Sequence, residues 1–227
     1  MHFYHRGLLA VLFGIAISAC SSSDSKSDSG TAAAGAAGTA SAGSGEAGSG
    51  GSGSDDIASA ILGTWTSTDC ELLSTTLSRR RTYVFAPTDV KITYDVFGGT
   101  TCDAAAAVFT VTTHGNADFV GPSPTLPGVT NVVFTFKSRA LTPTAAGLST
   151  LKTACPAEYS WVVGTETDVT KDGCDKLQVQ SDTECPVEYD LAEIKDGVAY
   201  FGDRSVPLCS EATRPKLLQT TGVAKQP

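Results

Sequence analysis

The segment Asn131-Val132-Val133-Phe134-Thr135-Phe136-Lys137 alternates large apolar side chains with smaller or polar ones. In an extended strand, Val132, Phe134 and Phe136 all point to one face, because successive side chains point to opposite sides. Alternation with a period of two is typical of a strand with one buried face and one face towards solvent. The segment therefore predicts a strand of an antiparallel sheet, the kind of sheet that commonly has one such solvated face.

The chain on both sides of this segment consists of short apolar or alternating runs separated by turn residues, which is typical of an all-β protein. Further strands are predicted at Ile61–Thr66, Thr82–Phe85, Lys91–Phe97, Val108–Thr113, Tyr159–Val163, Leu177–Val179, Tyr189–Ile194 and Val198–Phe201. Pro143–Lys152 predicts one short helix with Thr142 as its N-cap,. Many short strands with a single small helix favour a closed or nearly closed antiparallel barrel.

The first residues, 1–19, have the pattern of a bacterial export signal. Arg6 precedes an apolar run from Gly7 to Ile17, which is shorter than the roughly 20 residues that a membrane-spanning helix needs. The run ends in Ile17-Ser18-Ala19-Cys20, which resembles a lipobox. The resemblance implies that Cys20 is lipidated and anchors the chain in a membrane, and that Ser21 directs it to the outer membrane. An ordinary secretory signal is the alternative.

Residues 20–55 predict the lipidated cysteine followed by a tether. Of the 34 residues from Ser21 to Ser54, 30 are Gly, Ser, Ala or Thr. Such a stretch has no large apolar side chain whose burial would offset the entropy lost on ordering. We therefore expect a disordered linker here, followed by one folded domain at residues 56–227, a length typical of a single domain.

Charge and residue types argue against several classes of protein. The formal net charge of −8 argues against nucleic-acid binding, which needs a basic surface. Beyond the signal the chain holds only His114, so a three-histidine zinc centre is excluded, and His114-Gly115-Asn116 is typical of a turn. The chain carries no Gly-x-Ser-x-Gly motif and no phosphate-binding loop,. We expect no enzyme activity, no cofactor and no metal; a hydrolase with an unrecognised site is the less favoured alternative.

Six cysteines follow Cys20, and an even number in an exported chain predicts that they form three disulfides,. They are Cys70, Cys102, Cys155, Cys174, Cys185 and Cys209. Many connectivities are open to six cysteines. We favour the sequential one, because each consecutive pair flanks predicted strands that are neighbours in the chain. Metal thiolates are the weaker alternative, since no Cys-x-x-Cys spacing occurs.

One region carries a resemblance to known proteins. Leu62–Glu71 contains Gly63-x-Trp65 at a first strand, which resembles the lipocalin signature. With Leu77-Ser78-Arg79 and the aromatic strand that follows, the stretch resembles the adenomatosis polyposis coli down-regulated family, whose animal members are Wnt-antagonist ectodomains. Later similar blocks are Trp161–Gly164, Gly173-Cys174, Tyr200–Asp203 and Arg214-Pro215 with Gln219. The chain departs from the family at Leu72–Thr75, where an Arg-Pro-rich turn is usual, and at Thr76, where a phenylalanine is usual.

The resemblance implies a lipocalin-like β-barrel with an apolar cavity that accommodates an acyl chain. The candidate lining residues are Trp65, Arg79, Phe85, Tyr94, Phe109, Val132, Phe134 and Phe136. The same side chains would equally fill a solid core, and the sequence does not distinguish the two. For Arg79 we consider stacking on Trp65 as a cation–π partner or contact with an acyl carboxylate at the cavity mouth. Arg80 and Arg81 are as well explained as exposed, solubilising charges.

These patterns together predict a lipoprotein of the bacterial cell envelope, anchored in the membrane through Cys20, whose barrel binds a hydrophobic ligand such as a lipid or an acyl chain. The alternative is a structural or interaction lipoprotein with a solid barrel, whose outer face binds an envelope protein. Neither interpretation includes a nucleic-acid partner.

Overall fold

The computed structural model describes residues 54–227. The predicted signal at residues 1–19, the lipidation site Cys20 and nearly all of the predicted linker lie outside the described residues. The described strands are β1 (Gly63–Ser67), β2 (Glu71–Leu72), β3 (Leu77–Ala86), β4 (Asp89–Gly98), β5 (Ala107–Pro122), β6 (Thr130–Pro143), β7 (Thr167–Asp168), β8 (Val187–Lys195), β9 (Val198–Phe201) and β10 (Val223–Lys225). The two α-helices are α1 (Ser54–Ala60) and α2 (Leu148–Ala154).

Eight of these strands form a closed antiparallel ring in the order β1-β10-β9-β8-β6-β5-β4-β3, with β3 pairing back to β1. At the closing point Trp65 of β1 lies opposite Tyr83 of β3 and opposite Lys225 of β10. The short strands β2 and β7 pair with β3 and β6 from outside the ring. The predicted all-β antiparallel barrel with little helix is confirmed.

Two of the predicted local elements are wrong near the middle of the chain. His114 does not lie in a turn, because β5 continues through it with a bulge between His114 and Gly115. A Cβ atom at Gly115 would lie 2.1 Å from the carbonyl oxygen of Thr135, so the bulge needs glycine there. The predicted helix begins later than expected, because Pro143 is still the last residue of β6 and α2 begins at Leu148.

Two further predicted strands are absent from the described structure, and three short strands, β2, β7 and β10, were not predicted. Tyr159–Val163 is not a strand, and Leu177 lies in a 3-10 turn, Asp175–Leu177. The missed ring strand is β10, which has three residues and is too short to produce a recognisable alternation.

One end of the barrel is filled by a solid apolar core, which we call the filled end. Trp65, Phe85, Val132 and Phe134 are buried there in one cluster with Tyr83 and Phe201. The rings of Tyr83 and Phe201 stack with their centroids 4.5 Å apart. Ile57 of α1 and the neighbouring Ile61 join the cluster, and the Trp65 indole donates a hydrogen bond of 2.5 Å to the carbonyl oxygen of Ile61. Helix α1 therefore closes the filled end.

Replacing Phe134 by alanine should lower the free energy of unfolding by about 3–5 kcal/mol, because a fully buried ring leaves a cavity behind. Val120→Ala on the exposed side of β5 is the control and should change this free energy by no more than about 0.5 kcal/mol. Urea unfolding followed by tryptophan fluorescence measures both. A loss below about 1 kcal/mol for Phe134→Ala would contradict a solid core at this end.

Candidate ligand-binding cavity

The opposite end of the barrel is hollow. A cavity of about 1440 Å³ begins inside the ring and extends outwards between the surrounding loops. Its apolar wall consists of Val96, Phe109 and Val111, which face inwards from β4 and β5. The same three side chains belong to a second buried cluster, together with Leu151 of α2 and Trp161. We call this end the open end.

Four of the eight residues predicted to line a cavity do so: Arg79, Tyr94, Phe109 and Phe136. The other four, Trp65, Phe85, Val132 and Phe134, belong to the core of the filled end. The two possibilities left open by the sequence, core and cavity, therefore occur together, one at each end of the barrel.

Three disulfides lie around the open end, and they join the cysteines in sequential order. The bonds are Cys70–Cys102, Cys155–Cys174 and Cys185–Cys209. None of these six cysteines lies in a ring strand. Each bond instead has one cysteine beside a segment that lines the cavity: residues 70–73, 175–180 and 203–208. The disulfides therefore fasten the segments that surround the mouth.

Charged side chains lie where the hollow part of the barrel meets the apolar core, and we call them the floor. The floor comprises Glu71, Arg79, Arg81, Arg139, Glu188, Asp190 and Arg204. Arg81 is fully buried, so the interpretation of Arg81 as an exposed charge is wrong, whereas Arg80 is exposed. The alternation on β3 contains the signal, because Arg81 lies two residues before Tyr83 and therefore faces inwards with it.

Glu71 joins two of the floor arginines. Its carboxylate accepts hydrogen bonds from Arg79 Nε at 2.9 Å and from Arg81 Nε at 2.5 Å. Arg81 also donates to the side chain of Gln219 and, at 2.8 Å, to the carbonyl oxygen of Thr221. Burial lowers the pKa of Arg81, but the attraction of Tyr83 and Glu71 outweighs burial, and the net shift is upwards. The buried Arg81 guanidinium thus has a hydrogen-bond acceptor for each of its three nitrogen atoms.

Arg79 does not stack on Trp65. Its guanidinium lies 5.5 Å from the centre of the Tyr94 ring, and Lys225 Nζ lies 5.4 Å from the centre of the Trp65 ring instead. The strand pairing keeps Arg79 away from Trp65. Trp65 lies opposite Tyr83, and Arg79 precedes Tyr83 by four residues on β3. At 3.3 Å per residue, four residues span about 13 Å. Arg79 instead forms a salt bridge with Glu71, whose single negative charge it shares with Arg81.

A second charged group surrounds Arg204. This guanidinium donates to Glu188 and to Asp190, at 2.7 Å each. The other Asp190 carboxylate oxygen accepts the backbone N–H groups of Leu191 and Gly202, at 2.8 and 2.9 Å. Both carboxylates are therefore engaged by one arginine. The Arg204 Nε atom is buried and has no hydrogen-bond partner within residues 54–227.

Arg139, like Arg204, is a floor arginine that the sequence analysis did not single out. It lies on β6 directly opposite Thr113 of β5, and it is 3% exposed. Its Nη2 atom donates to the carbonyl oxygen of Cys185 at 2.5 Å, and its guanidinium lies 5.0 Å from the centre of the Phe136 ring. Within the described part of the chain, Arg139 Nη1 and Thr113 Oγ1 have no hydrogen-bond partner and Arg139 forms no ion pair.

The mouth of the cavity carries exposed apolar side chains: Leu72, Leu73, Val206 and Leu217. We call these four residues the rim. They are 46–67% exposed, and they lie on three different segments that meet at the mouth. Apolar side chains grouped around a cavity entrance are typical of a site that takes up apolar molecules.

No protein-family model matches this sequence, and no curated protein is significantly similar to it. Among the described residues, no helix is long and apolar enough to cross a membrane. The same residues contain no group of three or more His, Cys, Asp or Glu side chains placed to hold a metal ion.

Removing the bond Cys185–Cys209 by replacing both cysteines with serine should loosen residues 203–208 at the mouth and leave the ring strands intact. The expected loss of stability is about 2–4 kcal/mol. Hydrogen exchange measured by mass spectrometry should find faster exchange at residues 203–218 and unchanged protection in β3–β6. Loss of protection throughout β3–β6 would contradict the assignment of this bond to the mouth.

Proposed function

We propose that the protein is a non-enzymatic binding protein whose barrel takes a hydrophobic ligand, a lipid or an acyl chain, into its open end. The observation that carries the proposal is that a solid core fills one end of the barrel, whereas a cavity of about 1440 Å³ begins inside the other end and extends between the loops around it. Cavities that hold drug-sized ligands measure about 300–1,000 Å³. The volume at the open end is therefore sufficient for a long-chain amphiphile.

The apolar wall supports an acyl chain as the occupant. Val96, Phe109 and Val111 line the cavity with apolar groups and are 4–8% exposed, whereas the rim side chains at the mouth are 46–67% exposed. A flexible chain that passes from the wall to the rim would remove the apolar area of the rim from water, at roughly 25 cal/mol for each Å². A solid barrel that binds a partner only through its outer face is less well supported, because that function does not require this cavity.

Among the described residues, no free thiol and no imidazole lines the cavity, which supports binding over catalysis by a cysteine or histidine. The six cysteines beyond Cys20 are all in disulfides, so none of them is a free thiol. His114 lies opposite Lys91 and Ser138, in positions that alternate with the inward-facing Ile92, Thr113 and Arg139. His114 therefore points to the outer surface of the barrel.

We further propose that the barrel is held at a bacterial envelope membrane by lipidated Cys20 and the linker that follows, with the outer membrane as the destination. The lipobox-like sequence before Cys20 supports the anchor. The disulfides support an oxidising compartment, where such bonds persist. A flexible linker of n residues has an r.m.s. end-to-end distance of about 5–6 Å × √n, so we expect it to carry the barrel clear of the lipid surface.

Filling the cavity should weaken ligand binding. In the full-length protein, Val111→Trp places an indole against the apolar wall and should weaken binding of a fluorescent fatty acid by about tenfold or more, which is about 1.4 kcal/mol. Fluorescence titration measures the dissociation constant, and native mass spectrometry reports any lipid that co-purifies.

Val120→Trp is the matched control, since it adds the same side chain at a 59% exposed valine of the same strand. It should bind the probe as the unmodified protein does, and circular dichroism should find both variants folded. Equal binding by the two variants, or no binding by the unmodified protein, would refute the proposal.

A further inference from the structure

The charges of the floor do not cancel. The floor holds four arginines and three carboxylates, namely Arg79, Arg81, Arg139 and Arg204 with Glu71, Glu188 and Asp190. One positive charge is therefore in excess within the barrel. The remaining charged residues around the cavity are at its mouth, exposed or half-buried, where water screens them: Asp175, Lys176, Glu184 and Asp203,.

The ion pairs leave Arg139 without a carboxylate partner. Glu71 pairs with two guanidiniums, those of Arg79 and Arg81, whereas two carboxylates, those of Glu188 and Asp190, pair with Arg204, so the charges of these two groups cancel only when the groups are taken together. Among the described residues, the Arg139 guanidinium donates only to the neutral carbonyl oxygen of Cys185. Burial lowers the pKa of Arg139, and the more distant Glu188 and Asp182 act against that shift. Arginine stays protonated in proteins, so the interior retains a guanidinium with no carboxylate of its own.

Unused donors surround this charge. Arg139 Nη1 and Thr113 Oγ1 are buried, unpaired within the described chain, and come from residues directly opposite each other on β6 and β5. Both residues line the cavity, as does Arg204, whose Nε atom is also unpaired. Buried polar groups without partners are rare in folded proteins and call for a physical explanation. A bound anion at this point would accept hydrogen bonds from these donors, and its negative charge would neutralise the excess positive charge of the floor.

We propose that the ligand of the open end is an amphiphile with a single negative charge on a carboxylate, and that it enters head first. The inference rests on the proposed function, because it assigns the ligand of the same cavity. The carboxylate contacts Arg139 Nη1 and the Thr113 hydroxyl at the floor. Its chain lies along Val96, Phe109 and Val111 and leads out to the rim.

The distribution of polarity along the cavity requires this direction. The buried donors are at the floor, whereas the exposed apolar side chains of Leu72 and Leu217 are at the mouth. A ligand with its head group outwards would place methylene groups against unpaired N–H and O–H groups. It would also leave the guanidinium of Arg139 uncompensated in the interior, an arrangement that is costly.

The test compares ligands with one chain and different head groups on the full-length protein. Isothermal titration calorimetry measures hexadecanoate, hexadecanol, methyl hexadecanoate and hexadecyl phosphate. Hexadecanoate should bind about tenfold or more tightly than the two neutral compounds. Hexadecyl phosphate should bind less tightly than hexadecanoate, because its second negative charge has no counterpart in the floor. Tighter binding of the phosphate would overturn the assignment of a carboxylate.

Two variants locate the head group. Arg139→Gln should remove the preference for hexadecanoate and leave hexadecanol binding within about twofold, while Arg80→Gln, the matched change at an exposed arginine, should keep the preference. Thr113→Val should weaken hexadecanoate binding about threefold without lowering the melting temperature, because it removes a hydroxyl that has no partner in the unliganded protein. If Arg139→Gln does not fold, Thr113→Val decides the question.

The outcomes separate this inference from the proposed function. If hexadecanoate and hexadecanol bind equally well, and Thr113→Val changes neither, the head-first assignment is overturned and the cavity still binds acyl chains. If none of the four compounds binds, the proposed function fails as well.

Discussion

The compensation of Arg81 is the constraint on which the arrangement of the barrel depends. A fully buried guanidinium is tolerated only when its charge and its N–H groups find partners. Glu71 of β2, Gln219 and the carbonyl oxygen of Thr221 supply them. These partners belong to segments outside the ring or next to its last strand, so the need to satisfy Arg81 holds those segments against the barrel. The charged floor that results separates the filled end from the open end.

The floor also determines which polar groups the cavity offers to a ligand. Apolar side chains on β4 and β5 offer a wall for a chain, while the floor beneath them offers hydrogen-bond donors and one uncompensated positive charge. The filled end and the open end of the barrel therefore differ in function. The filled end supplies apolar burial, the dominant favourable term in folding, and the open end keeps unpaired groups in a cavity surrounded by disulfide-fastened segments. Buried polar groups without hydrogen-bond partners are typical of binding sites, because a functional site often departs from the packing and hydrogen-bonding patterns that stabilise the rest of a fold.

The sequence predicts the fold well where a period of two is unbroken. The run Val132, Phe134, Phe136 correctly predicts a strand with its apolar face inwards, and all three side chains are buried. The same alternation does not predict that Arg139 faces inwards, because the pairing of β5 with β6 shifts at a bulge next to Gly115. Continuing the alternation beyond Phe136 would place Ser138 inside and Arg139 outside. The bulge reverses this, and it depends on a backbone contact between distant strands that a linear pattern does not contain.

The central claim is that the ligand's charge is compensated inside the barrel by Arg139. Carbon-13 NMR of hexadecanoate labelled at its carboxyl carbon, bound to the protein and titrated with acid, tests this claim most directly. A cation beside a carboxylate lowers the pKa of its acid, whereas burial without a cation raises it. We predict that the pKa of the bound carboxyl group lies below that of a carboxyl group in water. A raised pKa, or one equal to that in water, would contradict the account.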